Sequence, residues 1–247
     1  GWQQPVYRHY GRMGIEGVVL STSQMRAGIK EGLYSGWDDI RLGTMRALAR
    51  RGILPEAVKN AMIAIGIGDV DISFSWDNLY AENKKLVDPT ANRYFFVPDP
   101  VEAKIEGAEP HTAHALLHPS DEARGKRTLE FTGTVLIPKA ELVPGTAMLR
   151  LKDLFNVKIA WNGDTPSFSY GGDSLAEARA AKARIIQWLP AQATMPCTLL
   201  TQEGEVKGAC EPAVKGEAGK VIQFERVGFV KVDAVSPDGV VAYWTHK

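Results

Sequence analysis

The chain has 247 residues, 45% of them hydrophobic and 23% charged, with 29 Lys+Arg balanced by 29 Asp+Glu. That length supports one large domain or several smaller ones with cores of their own, and the composition is that of a globular protein. Zero formal net charge speaks against an overall basic nucleic-acid binder unless the positive charge is segregated, and no apolar run is long enough to span a bilayer.

Charge is in fact uneven, since residues 1–59 carry nine Lys+Arg against five Asp+Glu. The opening GWQQPVYRHYG has no apolar core of a signal peptide and no initiator Met, so a piece of a longer, cytoplasmic protein is expected. Cys197 and Cys210 are the only cysteines; neither belongs to a C-x-x-C pair and no His lies between them. Two free, partly buried thiols are expected, with a disulfide left open.

Residues 6–20 read as extended, ending in the apolar run Val18-Val19-Leu20. A polar turn, Leu20-Ser21-Thr22-Ser23-Gln24, follows, and Gly28, Gly32 and Gly36 limit any helix to short pieces around 25–33. Asp38 and Asp39 supply an N-cap and an acidic first turn for a helix. Leu42, Met45, Leu48 and Ala49 are its buried stripe, and Arg46, Arg50 and Arg51 fall largely on the other side. Gly52 stops it. Pro55 opens a second helix with Ala57, Val58, Ala61, Met62 and Ile65 inside, ended by Gly66. Ser75 caps a third that closes at Asp88-Pro89. Residues 36–89 are thus a small helical unit.

From Arg93 the pattern changes to short strands: RYFFV, VEAKI, TLEFTGTVLI, AMLRL, LFNVKIAW, ARIIQWL, CTLLT, VIQFERVGFVKV and VVAYWT. Turn residues punctuate them, which points to β-barrels or sandwiches. Only SLAEARAAKAR (174–184) resembles a helix. The fold class expected is α+β and multidomain.

His111, His114 and His118 have the spacing of ligands on one helix face, but Pro110 and Pro119 bracket them and no acidic or Cys partner is near. A polar loop, and no metal, is expected. Gly66-x-Gly68 and Gly171-Gly172 lack the strand and the Lys-Ser/Thr of a phosphate loop. No Ser-His-Asp or Cys-His set can be assembled, so no complete catalytic apparatus is expected. Basic residues beside aromatics are the better lead: Arg93 precedes Tyr94-Phe95-Phe96, and Arg150 and Lys152 alternate on one strand. Such faces bind unpaired bases, although barrel core with solvated charges fits the same residues.

The order of motifs is informative. GVVLSTSQM followed by EGLYSGWDDIRLGTMRALARRGI closely resembles the end of the catalytic domain in class I glutamyl-tRNA synthetases of the archaeal and eukaryotic type, to which glutaminyl-tRNA synthetases are close kin. SFSWDNLYAENKKLVDPTANRYFFVPDPV is similar to the junction of the helical stem-contact region with the anticodon-binding barrels in that family. HPSDEARGKRTLEFTGTVLI, MLRLKDLFNVKI and AGKVIQFERVGFVKVD resemble successive barrel segments. The resemblance is collinear over nearly the whole chain.

It implies three parts. Residues 1–30 would be the rim of the catalytic domain with a KMSKS-like loop, 31–89 a helical stem-contact domain, and 90–247 two antiparallel β-barrels of the ribosomal-protein-L25-like kind that bind the anticodon. The family's Rossmann-type domain with its His-Ile-Gly-His-like motif does not precede Leu20, so this portion is expected not to aminoacylate alone and to need no cofactor. The full-length enzyme would use ATP with Mg, glutamate and tRNA(Glu), with tRNA(Gln) left open; no DNA and no membrane are implied. Leu20, Ser21, Thr22, Ser23 and Gln24 match the KMSKS position, which would close over ATP phosphates. Thr22 stands at the Lys position, so the cation is absent or comes from a neighbour such as Arg26. Arg41, Arg46 and Arg50 would grip tRNA phosphates. Arg93 matches an arginine at the middle anticodon base, and Lys207 falls where the glutamine enzymes carry a glutamine for that base. Arg150 and Lys152 match positions for an outer base. Val143-Pro144 stands where bacterial glutamine enzymes carry a Lys-Arg pair. The rivals are a glutaminyl-tRNA synthetase and a protein-interaction module without RNA.

Overall fold

The computed structural model describes residues 1–247, which form two compact units: 1–90 with His246, and 91–245 with Lys247.

In the first unit, β1 (Met13–Ile15) is followed by α1 (Thr22–Lys30), α2 (Met45–Arg51), α3 (Pro55–Ile65), β2 (Ile72–Phe74) and α4 (Trp76–Val87). β1 and β2 pair in parallel, and Leu48, Ile53, Ala57, Ala61, Phe74 and Leu79 form one apolar core. Met25, Leu42 and Ala47 form a second, smaller one. The local signals at Gly52, Pro55, Gly66 and Ser75 act as expected. Gly52 ends α2 in the left-handed region at φ 86°, and Pro55 occupies the first turn of α3. Ser75 Oγ accepts the Asp77 N–H at 3.1 Å.

Five local expectations are corrected. The run Val18-Val19-Leu20 is not a strand; the pairing lies earlier, at 13–15. Ser21 to Gln24 is not a turn, because Ser21 precedes α1 and Thr22–Gln24 are its first residues. Gly28 lies inside that helix, where a Cβ would meet the Tyr34 ring at 2.7 Å. Asp38 and Asp39 do not cap α2. Thr44 does, its Oγ1 accepting the Ala47 N–H at 3.0 Å, while the Asp39 carboxylate is taken by Ser35 and Arg41. The helix is therefore shorter than the pattern suggests, and Met45 is 67% exposed. Finally, Arg51 is not on the solvent side but fully buried, donating to the Tyr80 hydroxyl at 2.6 Å with its guanidinium over the Trp76 and Tyr80 rings at 5.1 and 5.4 Å.

The second unit is built of strands. They are β3 (Arg93–Tyr94), β4 (Phe96–Pro98), β5 (Pro100–Glu106), β6 (His111–Leu116), β7 (Lys126–Phe131), β8 (Thr134–Pro138), β9 (Met148–Leu151), β10 (Asn156–Asn162) and β11 (Thr165–Tyr170). After α5 (Leu175–Ala180) come β12 (Arg184–Ile186), β13 (Leu189–Pro190), β14 (Met195–Leu200), β15 (Glu205–Cys210), β16 (Val221–Phe224), β17 (Gly228–Ser236) and β18 (Gly239–His246). One seven-stranded sheet runs β12-β9-β10-β11-β5-β8-β13, the other β3-β16-β17-β18-β14-β15-β4, and β6 pairs with β7 apart from both. In each large sheet the two edge strands are halves of one continuous segment, 184–190 in the first and 93–98 in the second. A sheet whose edges belong to one short segment must curl until they meet, which is the barrel-like solution to exposed edges.

Two strand-level expectations also change. The sheets are mixed rather than purely antiparallel: β5 runs parallel to β11, β9 to β12, β14 to β18 and β3 to β16. Closure brings together strands distant in sequence, which removes the constraint of a tight hairpin. The segment with His111 and His114 is not a polar loop but strand β6, antiparallel to β7 with His114 opposite Thr128. Cys197 and Cys210 are both buried and both free. A hydrogen bond to Cys197, together with burial, holds the Cys210 thiol well above its usual range.

Candidate nucleic-acid interface

The segment 93–98 borders both apolar cores of the second unit. Tyr94 and Phe96 enter one, with Ile222, Phe224, Val230 and Val240; Phe95 and Val97 enter the other, with Phe131, Phe155, Leu189 and Trp188. This alternation follows from the period of two along a strand. Arg93, at its start, is half-buried and its N–H donates to Leu117 O at 2.8 Å.

Arg93 lines an open cleft of about 390 Å³ whose walls are His114, Leu116, Pro119, Glu122, Lys126, Lys152, Asp153 and Glu225. The cleft is therefore walled by three cations, three carboxylates, an imidazole and two apolar side chains. Its floor is an ion network. Lys152 Nζ binds the Glu225 carboxylate and lies 3.8 Å from Asp153. Glu225 also binds Arg127, and Arg127 reaches Glu211 with its other terminal nitrogen. Arg127, Glu211 and Glu225 are each less than a tenth exposed. Glu211 in turn accepts the Phe95 N–H at 2.6 Å, and Glu225 N–H donates to Tyr94 O at 3.0 Å. Charges this deep are tolerable only when paired in this way.

Of the residues singled out in the sequence, the cleft unites Arg93, His114 and Lys152. Arg150 turns elsewhere: one guanidinium nitrogen donates to Asn156 Oδ1 at 3.1 Å and to Asp173 O at 2.9 Å. Tyr170, 37% exposed, donates to that same Asp173 through its hydroxyl at 2.9 Å. Lys207 is exposed on β15, 3.3 Å from Glu205, and does not line the cleft. Gly208 pairs with Pro98, so Lys207 sits near the far end of the segment that Arg93 begins. Six residues of extended chain measure about 15–20 Å.

In the first unit, Arg41 grips Asp39 with two nitrogens, at 2.9 and 2.7 Å, and donates to Leu33 O at 2.6 Å. The Arg41 hydrogen bond holds the Asp39 carboxyl well below the usual carboxylate range. Arg50 pairs with Asp38 at 2.8 Å, and Arg46 is exposed. At the start of α1, Ser21 Oγ and Ser23 Oγ share a hydrogen bond of 3.0 Å, and no side chain caps the helix.

Sequence reasoning missed Lys126 and the Arg127–Glu211–Glu225 network, and weighed His114 only as a metal ligand or loop residue. The alternation of β7, with Lys126, Thr128 and Glu130 exposed and Arg127, Leu129 and Phe131 buried, carries the signal that Arg127 points inward.

Residues 1–89 match the family model for the catalytic domain of class I tRNA synthetases (E and Q). Residues 91–169 and 185–233 match two models of the anti-codon binding domain of the same class. The chain belongs to the class I tRNA synthetases for E and Q. Among the relatives of this synthetase chain, the glutamate–tRNA ligase of Methanoculleus marisnigri is 65% identical over 247 residues, 100% of this chain and 44% of the relative. That of Methanoregula boonei is 62% identical over 316 residues, 100% of this chain and 50% of the relative. That of Pyrococcus abyssi is 47% identical over 256 residues, with 100% and 44% covered. The synthetase chain thus spans about half the length of the curated relatives it matches. No helix in it is long and apolar enough to cross a membrane.

Proposed function

We propose that this chain is the tRNA-binding portion of a cytoplasmic glutamate–tRNA ligase, which recognises the anticodon and the inner L of tRNA(Glu) for ATP-dependent glutamylation by the whole enzyme. The observation that carries the reading is the cleft shared by Arg93 and Lys152, inside a region matching the anticodon-binding domain. A planar guanidinium suits hydrogen bonding to a base edge, and the cleft is open to an unstacked base. Lys207 and Arg150 lie outside that cleft, so in this reading they meet other nucleotides of the anticodon loop.

Residues 31–89 serve as the stem-contact domain, and Arg46 and Arg50 supply phosphate contacts there. Arg41, already doubly bound to Asp39, contributes through a single remaining edge. Residues 1–30 serve as the rim of the catalytic domain and 90–247 as the anticodon-binding region. Leu20 to Gln24 serve as the ATP-facing loop. The uncapped start of α1 leaves backbone N–H groups, beside the Ser21, Thr22 and Ser23 hydroxyls, that fit a phosphate. ATP with Mg supplies the activation of glutamate when bound; the chain's own part there is to hold phosphate oxygen.

The names of the relatives favour tRNA(Glu). The family description covers Q as well, so tRNA(Gln) is the second candidate substrate, and charging of the two tRNAs by the full-length enzyme separates them. A gel shift of this chain with tRNA(Glu) at moderate salt tests the core of the reading. A shift that weakens with salt and with a scrambled anticodon is expected. No shift at all overturns it in favour of a protein-interaction module.

A further inference from the structure

The cleft beside Arg93 carries a cation that neither the motifs nor the family resemblance assigned. Lys126 opens β7, is exposed, and forms no ion pair. Successive side chains of a strand face opposite ways. The next residue, Arg127, therefore goes inward to Glu211 and Glu225 while Lys126 goes out to the cleft.

Lys126 is also fixed relative to Arg93. It pairs with Leu116 across the β6–β7 hairpin, and its neighbour Gly125 accepts the Leu117 N–H at 3.1 Å. Leu117 O accepts the Arg93 N–H at 2.8 Å. Two backbone hydrogen bonds thus connect the Lys126 strand end to the Arg93 backbone, so the two residues rise from fixed backbone positions beside the same cleft.

The charges in the cleft divide into two groups. Lys152 is held by Glu225 and Asp153, and Glu225 is shared with Arg127 below. Lys126 is held by none of these pairs, and Glu122 is the remaining carboxylate on the walls. An ammonium on a flexible stem binds as a point charge and suits a phosphate; a guanidinium suits a planar edge.

We propose that Lys126 is the phosphate-contacting cation of this cleft, taking the backbone phosphate of the nucleotide whose base lies beside Arg93. The assignment rests on the RNA-binding reading above and adds a residue and a role to it. The ligand is a single-stranded RNA phosphodiester, and no bond is made or broken.

The test uses the whole 247-residue chain and an RNA stem-loop with the tRNA(Glu) anticodon arm, titrated at several salt concentrations. In wild type, affinity falls linearly on logarithmic axes. In Lys126→Ala the slope is expected to flatten by about 0.7, one single-strand phosphate contact, equally for native and scrambled anticodons. Lys126→Arg is expected to keep the wild-type slope. Because Lys126 is exposed, its thermal unfolding serves as the folding control. An unchanged slope in Lys126→Ala overturns the proposal while wild-type binding and its anticodon preference leave the function reading intact. Loss confined to the native anticodon also overturns it, since Lys126 would then read a base. Absence of RNA binding by the wild type sinks both.

Discussion

The Arg127 guanidinium lies 4.2 Å from the centre of the Phe95 ring, and the Phe95 N–H donates to Glu211, one of the two carboxylates that Arg127 binds. Arg127 thus holds the 93–98 segment twice, through the ring and through the carboxylate. Glu225, its other partner, reaches on to Lys152 at the cleft surface. A cation buried beneath the cleft therefore sets the position of two side chains that line it.

Removing that cation should be costly. Arg127→Met leaves Glu211 and Glu225 without their buried counter-ion, and a loss of about 3–5 kcal/mol is expected, read by urea unfolding of the chain. Adding Glu211→Gln to it should restore part of the loss, because the charge left without any counter-ion disappears, whereas Glu225 keeps Lys152. An Arg127→Met variant as stable as wild type would show that the network does not hold the fold.

At the cleft itself, Arg93→Ala should weaken binding of tRNA(Glu) by about 1–3 kcal/mol, roughly 5- to 150-fold, and reduce the preference for the native anticodon. Competition binding with a scrambled-anticodon tRNA measures it. Equal losses for both RNAs would remove Arg93 from base reading.

The cap of α2 offers a local test. Thr44→Ala removes the acceptor of the Ala47 N–H and should cost about 1 kcal/mol, whereas Asp38→Ala, which loses only a half-exposed pair with Arg50, should cost less. Thermal unfolding of the two variants side by side ranks them. The opposite ranking would return the cap to the aspartates.

Acid should bear on the same region through Asp39. Its folded-state pKa is lowered, chiefly by the Arg41 hydrogen bond, so the carboxylate contributes stability above its unfolded value near 3.9. That contribution is lost as pH falls below about 4 and through the lowered folded value. Asp39→Asn should therefore be less stable than wild type at pH 6 and close the gap on acidification, followed by circular dichroism. A gap that stays constant between pH 6 and pH 2 would mean that the pair contributes nothing to stability.

Features whose causes lie within a few residues were legible in the sequence. Gly52 ends a helix because glycine takes the left-handed turn with no Cβ penalty, Pro55 starts one because its missing N–H is unused there, and Ser75 caps another. Apolar alternation also announced most strands after Arg93. It did not announce β6, β11 or β15: TPSFSY buries only Phe168, and EVKGAC is interrupted by Gly208. Their edges are defined by partners rather than by their own pattern. The order of motifs along the chain carried the family, because collinear segments constrain each other without any contact being known.

The tertiary structure decided what depends on distant partners. Arg127 meets Glu211 across 84 residues and Glu225 across 98, so no window of sequence shows that these charges are buried together. Arg51 reads as a solvated helix terminus until Tyr80 and Trp76 close over it. Arg93 and Lys152 read as separate basic positions, and Lys126 as an ordinary surface lysine, until the hairpin and the 93–98 segment bring all three to one cleft. Local chemistry writes caps, turns and alternation into the chain. Which charges are buried, and which cations face the same space, is settled by the closing of the sheets.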